Sequence, residues 1–195
     1  MYKYNEEPLL NSIDYEKGTV SPYKGKLVRR LKDMEGFFSD NSSVKQILKK
    51  DNPLIYEVYG LHLPKIDTKF TFRYGISVLY PGKVGDEYFM TKGHFHSVRE
   101  VPELYIPLKG KGFIIMQDPQ LNVFTSEVGE NTSLYIPPGW AHRMVNIGKE
   151  KLIFFCIIPS DTGQDYGILK KKGFAKLLLE KNGKPVLVDN PRYSD

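Results

Sequence analysis

From Leu54 to Ile158 the chain is cut into short runs of apolar, aromatic and β-branched residues, each bounded by Gly, Pro, Asn or Asp. The runs fall at 54–60, 70–80, 86–96, 103–108, 112–117, 122–128, 133–137, 142–147 and 151–158. Side chains of these types suit a pleated, half-buried surface, so each run is expected to be a strand. Many short strands at such intervals must stack or close, which predicts a sandwich or barrel. Upstream, Asn41, Ser42 and Ser43 form an N-cap cluster ahead of Val44, Ile47 and Leu48 at helical spacing, and one short helix is expected there. Downstream, Asn182-Gly183 between runs 174–180 and 185–188 predicts a hairpin. With 195 residues, 41% of them hydrophobic, the chain can bury one sizeable core, and no low-complexity linker divides it. The reading is an all-β single domain: an N-terminal wrap over 1–53, a barrel core over 54–160, and a C-terminal hairpin and tail over 161–195.

Three of the four histidines lie in two compact patterns, Gly93-His94-Phe95-His96 followed by Glu103, and Pro137-Pro138-Gly139-Trp140-Ala141-His142 followed by Asn146. If Tyr88 to His96 is one strand, its period of two places His94 and His96 on one face and Phe95 on the other. An antiparallel return beginning at Glu103 would set a carboxylate beside the pair, and His142 would complete the set from a later strand. An H-x-H pair alone is equally consistent with two solvated strand residues; the downstream Glu and His separate the readings. Three neutral imidazoles and a carboxylate suit one borderline divalent ion, such as iron, manganese, nickel, cobalt or zinc. On an octahedral ion they leave two positions open. The fourth histidine, His62, has no nearby partner ligand and is expected in a loop just past a strand. Trp140 fits either a pocket wall or an anchor for the Pro-rich turn.

The two patterns resemble the paired motifs of the cupin superfamily, with an unusually long gap of six residues between His96 and Glu103. Further segments carry the likeness along the chain: Val28-Arg29-Arg30-Leu31, Asp33-Met34-Glu35-Gly36, Tyr56-Glu57-Val58-Tyr59, Val78 to Gly85, Thr91 to His96, Asp165-Tyr166-Gly167 and Asp189-Asn190-Pro191-Arg192. Together they resemble the cupin-type glucose-6-phosphate isomerases. The resemblance implies a double-stranded β-helix, or jelly-roll barrel, and one metal ion per chain held by His94, His96, Glu103 and His142, with Fe2+ the leading candidate. It implies a sugar-phosphate substrate, with Ser77, Thr91, the Gly93 backbone and Tyr166 at the phosphate and Tyr56 and Tyr105 on the sugar side. Two positions depart from the family pattern: Gln164 stands where relatives carry His, and Ile158 where they carry Tyr. Gln164 could still donate its amide to a phosphate oxygen.

Aldose–ketose isomerisation moves hydrogen between C2 and C1 while charge builds on both oxygens, and a chelating divalent ion suits that task. Glu103 could carry the proton through an enediol. Direct hydride transfer is the other route, and the residues do not choose between them. The same ligand set also admits another cupin enzyme, such as a different sugar isomerase or an iron dioxygenase, and a non-catalytic sugar-binding cupin. Net charge is +5, but the basic residues are dispersed, so nucleic acid is not expected as a partner. Lys170-Lys171-Lys172 is read as an exposed turn before a strand at Phe174. The longest apolar run, Leu152 to Ile158, is far short of the ~20 residues of a membrane helix. MYKYNEEPLL also lacks a signal-peptide layout, so a cytoplasmic location is expected, with the lone Cys156 packed as a small hydrophobe. The resemblance further implies a homodimer.

Overall fold

The computed structural model describes residues 8–62 and 71–193. In the N-terminal part, β1 (Ser12–Asp14) and β2 (Thr19–Ser21) form a small hairpin, and β3 (Gly25–Arg30) leads into a 3-10 turn that buries Leu31 and Met34. Helix α1 (Asn41–Leu48) follows, but its cap lies one residue earlier than the Asn-Ser-Ser cluster suggests. Asp40 accepts from the Ser43 N–H at 2.9 Å and the Ser43 hydroxyl at 2.6 Å, satisfying a first-turn donor with a charged acceptor.

The barrel strands are β4 (Leu54–His62), β5 (Phe72–Leu79), β6 (Lys83–Val84), β7 (Glu87–Tyr88), β8 (Phe95–His96), β9 (Glu103–Lys109), β10 (Lys111–Gln117), β11 (Val123–Gly129), β12 (Leu134–Ile136), β13 (Ala141–Asn146) and β14 (Leu152–Pro159). One sheet has the order β12-β9-β14-β5-β4-β3, another β11-β10-β13. Tyr56, Leu79, Leu152 and Phe154 from the first meet Ile114, Met116 and Met144 from the second in one apolar core. Burying such side chains contributes ~1.5–3 kcal/mol each, which is what holds the sheets face to face. The arrangement is mostly β, with two facing sheets around one core, as the strand pattern implies.

The run 86–96 is not the single strand the alternation suggests. After β7 the chain follows β13 only by isolated pairings, Met90 with Val145 and His94 with His142. Gly93, at φ +69°, turns the backbone just before the second of them. His62 is likewise not in a loop: it ends β4, paired with Tyr74 across a bulge.

Beyond the barrel come β15 (Gln164–Asp165), α2 (Gly167–Lys172), β16 (Lys176–Lys181) and β17 (Lys184–Asp189). Lys170–Lys172 are exposed, but as the last turn of α2 and not as a loop, and the strand expected at Phe174 begins two residues later. The β16–β17 hairpin has Asn182 and Gly183 at φ +52° and +73°, the left-handed pair that a type I′ turn demands. It is fastened by the residues after it. Asn190 donates to the Lys172 and Phe174 carbonyls at 2.9 and 2.7 Å, and Arg192 to the Gly36 and Phe38 carbonyls, both at 2.9 Å. No helix of the described residues is long and apolar enough to cross a membrane.

Asn146, at the end of β13, is fully buried and satisfies three backbone groups. It donates to the Leu79 and Glu150 carbonyls at 2.9 and 2.8 Å and accepts from the Gly148 N–H at 2.9 Å. Asn146→Ala strands those groups and should lower stability by ~2–3 kcal/mol in a urea titration. A loss below ~1 kcal/mol would mean the turn reorganises around the gap.

Candidate metal centre and its cavity

Four side chains from separate elements converge. His96 belongs to β8, His142 to β13, and Glu103 opens β9 in the other sheet, facing Ile136 of β12. His94 is placed by backbone hydrogen bonds exchanged with His142, at 3.3 and 3.2 Å. Strand alternation therefore does not place the histidine pair, and Glu103 does not arrive on a strand paired with theirs; three separate sheets deliver His96, His142 and Glu103. One donor atom from each of the four lies within 4.8 Å of the others.

The electrostatics ask for a cation. His96 Nδ1 faces the Val101 carbonyl at 2.9 Å, and a carbonyl only accepts, so the neutral ring carries its proton there. Its Nε2 lone pair then points at a Glu103 oxygen 3.1 Å away. His142 Nε2 lies 2.9 Å from the same oxygen without hydrogen-bond geometry, and the buried His94 Nε2 meets no partner at all. Acceptors this close repel unless a positive charge sits between them. Burial, with the neighbouring His142, pushes His94 down to about 3, so it is a neutral donor at physiological pH. Burial alone would raise the Glu103 carboxyl; positive charge facing it from the side of His142 and His96 brings it down to about 2, as a carboxylate. Three imidazoles and one carboxylate with donor atoms within 4.8 Å of one another, two of the ring nitrogens without a hydrogen-bond partner, fit a divalent transition-metal ion.

A cavity of about 130 Å³ opens on this cluster, lined by His94, Glu103 and His142 together with all seven candidate substrate residues: Tyr56, Ser77, Thr91, Gly93, Tyr105, Gln164 and Tyr166. Ser77, Tyr56 and Tyr105 are buried, and the Tyr105 ring packs edge-on against His142 with centroids 5.5 Å apart. Thr91 Oγ1 accepts from the Met144 N–H at 3.1 Å, which leaves its proton to donate. The Tyr166 hydroxyl donates to Gln164 Oε1. A second cavity of about 340 Å³ shares Val58, Glu103, Cys156 and Gln164 with the first and is walled by Arg73 and Ile158. Both departures from the family pattern therefore border the second space. Cys156 is half-buried at this junction, with burial pushing its thiol up to about 12, so it is an unionised wall and not a nucleophile. Trp140 lines neither cavity; it packs on the core beside the Pro-rich turn.

One positioning residue escaped the motif reading. Arg143 is a charged residue with 1% exposure, its guanidinium 4.2 Å from the Phe174 ring centroid. It donates to Met90 Sδ at 2.7 Å and to the Lys92 carbonyl at 3.2 Å, bracing the segment that carries His94. The sequence shows it only as the last residue of Trp140-Ala141-His142-Arg143, a segment that shares in the family likeness; its burial does not show, because alternation along β13 is silent about a strand buried on both faces.

The model of the glucose-6-phosphate isomerase family matches residues 28–194. Among curated proteins, the glucose-6-phosphate isomerase of Pyrococcus horikoshii is 45% identical over 195 residues, covering 100% of both chains. That of Pyrococcus furiosus is 45% identical over 99% of each chain, and that of Thermococcus kodakarensis 44% identical over 97% of this chain and 98% of its own. Agreement over the full length and over the segments that build the cavity leads to one conclusion: this chain belongs to the glucose-6-phosphate isomerase family.

Proposed function

We infer that the chain interconverts glucose 6-phosphate and fructose 6-phosphate, an intramolecular oxidoreduction serving glycolysis and gluconeogenesis. The observation that carries this reading is the convergence of four metal-ligand side chains on a cavity lined with hydroxyls, in a chain 45% identical from end to end to a protein of that name. His94, His96, Glu103 and His142 would hold one divalent ion per chain, Fe2+ first among Mn2+, Ni2+, Co2+ and Zn2+. Such an ion, when bound, supplies a Lewis acid for the C1 and C2 oxygens of the open-chain sugar.

The side chains supply the rest. Glu103, the one carboxylate lining the cavity, takes the C2 proton and returns it to C1. Ser77, Thr91, the Gly93 N–H, Gln164 and Tyr166 donate to the phosphate, while Tyr56 and Tyr105 hold the sugar hydroxyls and keep the carbon chain in line with Glu103. Burial raises the Tyr56 phenol to about 12 and pushes the Tyr105 phenol well above its ordinary value, so both remain donors throughout the neutral range. The whole chain would act as one cytoplasmic domain, paired as a homodimer.

The test is a coupled assay of fructose 6-phosphate conversion on chelator-stripped protein, before and after adding each metal. Stripped protein should be at least ~100-fold slower, with activity restored by one or more first-row ions. Silence with every ion, on protein shown to bind one, would turn the assignment to another sugar or to oxygen chemistry.

A further inference from the structure

We propose that Lys92 and Arg29 form a cationic clamp at the mouth of the cavity that fixes the phosphate of the open-chain sugar. The proposal rests on the isomerase reading and adds charge to a phosphate site otherwise made of neutral donors. Lys92 lies between Thr91 and Gly93 and lines the same cavity, its ammonium 5.1 Å from the Phe37 ring centroid. Arg29 stands opposite Tyr56 in the β3–β4 register, near enough for its charge to act on Tyr56, Tyr166 and Lys92.

Lys92 on the lining and Arg29 behind Tyr56 thus lie within electrostatic reach of each other, although like charges repel, and among the described residues neither is ion-paired with a carboxylate. The acid whose charge reaches Lys92 is Asp33, and it is engaged by the Arg30 N–H at 2.9 Å. Arg29 Nε is buried without a partner; the rest of that guanidinium makes a long 3.5 Å contact to the Val28 carbonyl and a hydrogen bond with the hydroxyl of Tyr56, which lines the cavity. The Phe37 face gives Lys92 a cation–π contact but no counter-charge. A dianion placed between the two would satisfy both, and the Ser77, Thr91, Gly93 and Tyr166 donors converge on the same rim. No short motif encodes the pair, because its members lie on opposite sides of the α1 segment in the sequence.

The test measures KM and kcat for fructose 6-phosphate, and competitive inhibition by inorganic phosphate, in Lys92→Met, Arg29→Met, Lys92→Arg and the exposed control Lys149→Met. Each Met variant should raise KM and the phosphate inhibition constant roughly tenfold to a hundredfold with little change in kcat. Each should also flatten the rise of KM with salt, while Lys92→Arg restores most of the loss. Melting temperature separates a structural role from a binding one: relieving the repulsion should leave it unchanged or higher, whereas a structural pair would lower it. If KM moves less than twofold in both Met variants, or moves instead in Arg73→Met at the second cavity, the clamp is wrong. If wild-type protein shows no isomerase activity, the isomerase reading falls by itself; phosphate titration of wild type against Lys92→Met then still decides whether the rim binds the anion.

Discussion

Glu103→Gln should lower kcat by about 10²- to 10⁴-fold, the range general-base catalysis commonly contributes, while KM changes far less. The amide keeps an oxygen in the same place and volume but cannot take up a proton. Because Glu103 also faces His96 and His142 at 3.1 and 2.9 Å, the substitution removes a negative charge from the ligand cluster as well. Metal content measured on the same sample distinguishes the two losses. A slow enzyme with full occupancy assigns the base; a slow enzyme without metal assigns a ligand first. Activity above a tenth of wild type at full occupancy would exclude Glu103 as the base. A second readout bears on the route itself: substrate deuterated at C2 should lose label to water during turnover, and complete retention at C1 would favour hydride transfer.

The other large effect is expected at a residue with no side chain. Gly93 sits at φ +69°, and a Cβ there would come within 2.6 Å of the Phe174 ring, 2.9 Å of the His142 carbonyl and 3.0 Å of Arg143 Cβ. Left-handed backbone costs a non-glycine residue ~1–2 kcal/mol, and overpacking adds ~1–3. Gly93→Ala should therefore destabilise by ~2–5 kcal/mol in a denaturant titration. It should also depress activity, because the same backbone positions His94 against His142. Gly183→Ala is the comparison. Its φ is +73°, yet nothing lies within 4 Å of the added methyl, so the backbone cost alone remains. Equal losses at the two sites would show that the crowding around Gly93 relaxes easily.

Much of this was legible in the residues, for identifiable reasons. Strands β9 to β14 follow the β-rich runs to within a residue or two, because each run is bounded by turn formers and each strand pairs with close neighbours. Asn182-Gly183 specified its hairpin because two adjacent left-handed residues leave few alternatives. Helix α2 was not legible. It begins at a glycine, its cap Tyr166 makes no side-chain capping bond, and Leu169 is its one buried residue, so neither end nor face announces it. The four inward donors were visible as spaced residue types, but not how they are delivered: isolated bridges and a left-handed glycine, not alternation, bring His94 to His142. Arg143 and the Lys92–Arg29 pair were invisible because their roles arise from three-dimensional neighbours that share no sequence window.

The final stretch of chain closes a circuit that the order of residues conceals. Phe174 presses on the place where Gly93 has no side chain and supports the Arg143 guanidinium, while Asn190 holds the Phe174 carbonyl and Arg192 grips the carbonyls of Gly36 and Phe38. The tail is thus a keystone: the histidine loop leans on a segment some eighty residues further along the chain. A chain cut after the barrel strands would carry all four inward donors and still lack the wall against which the His94 loop is packed.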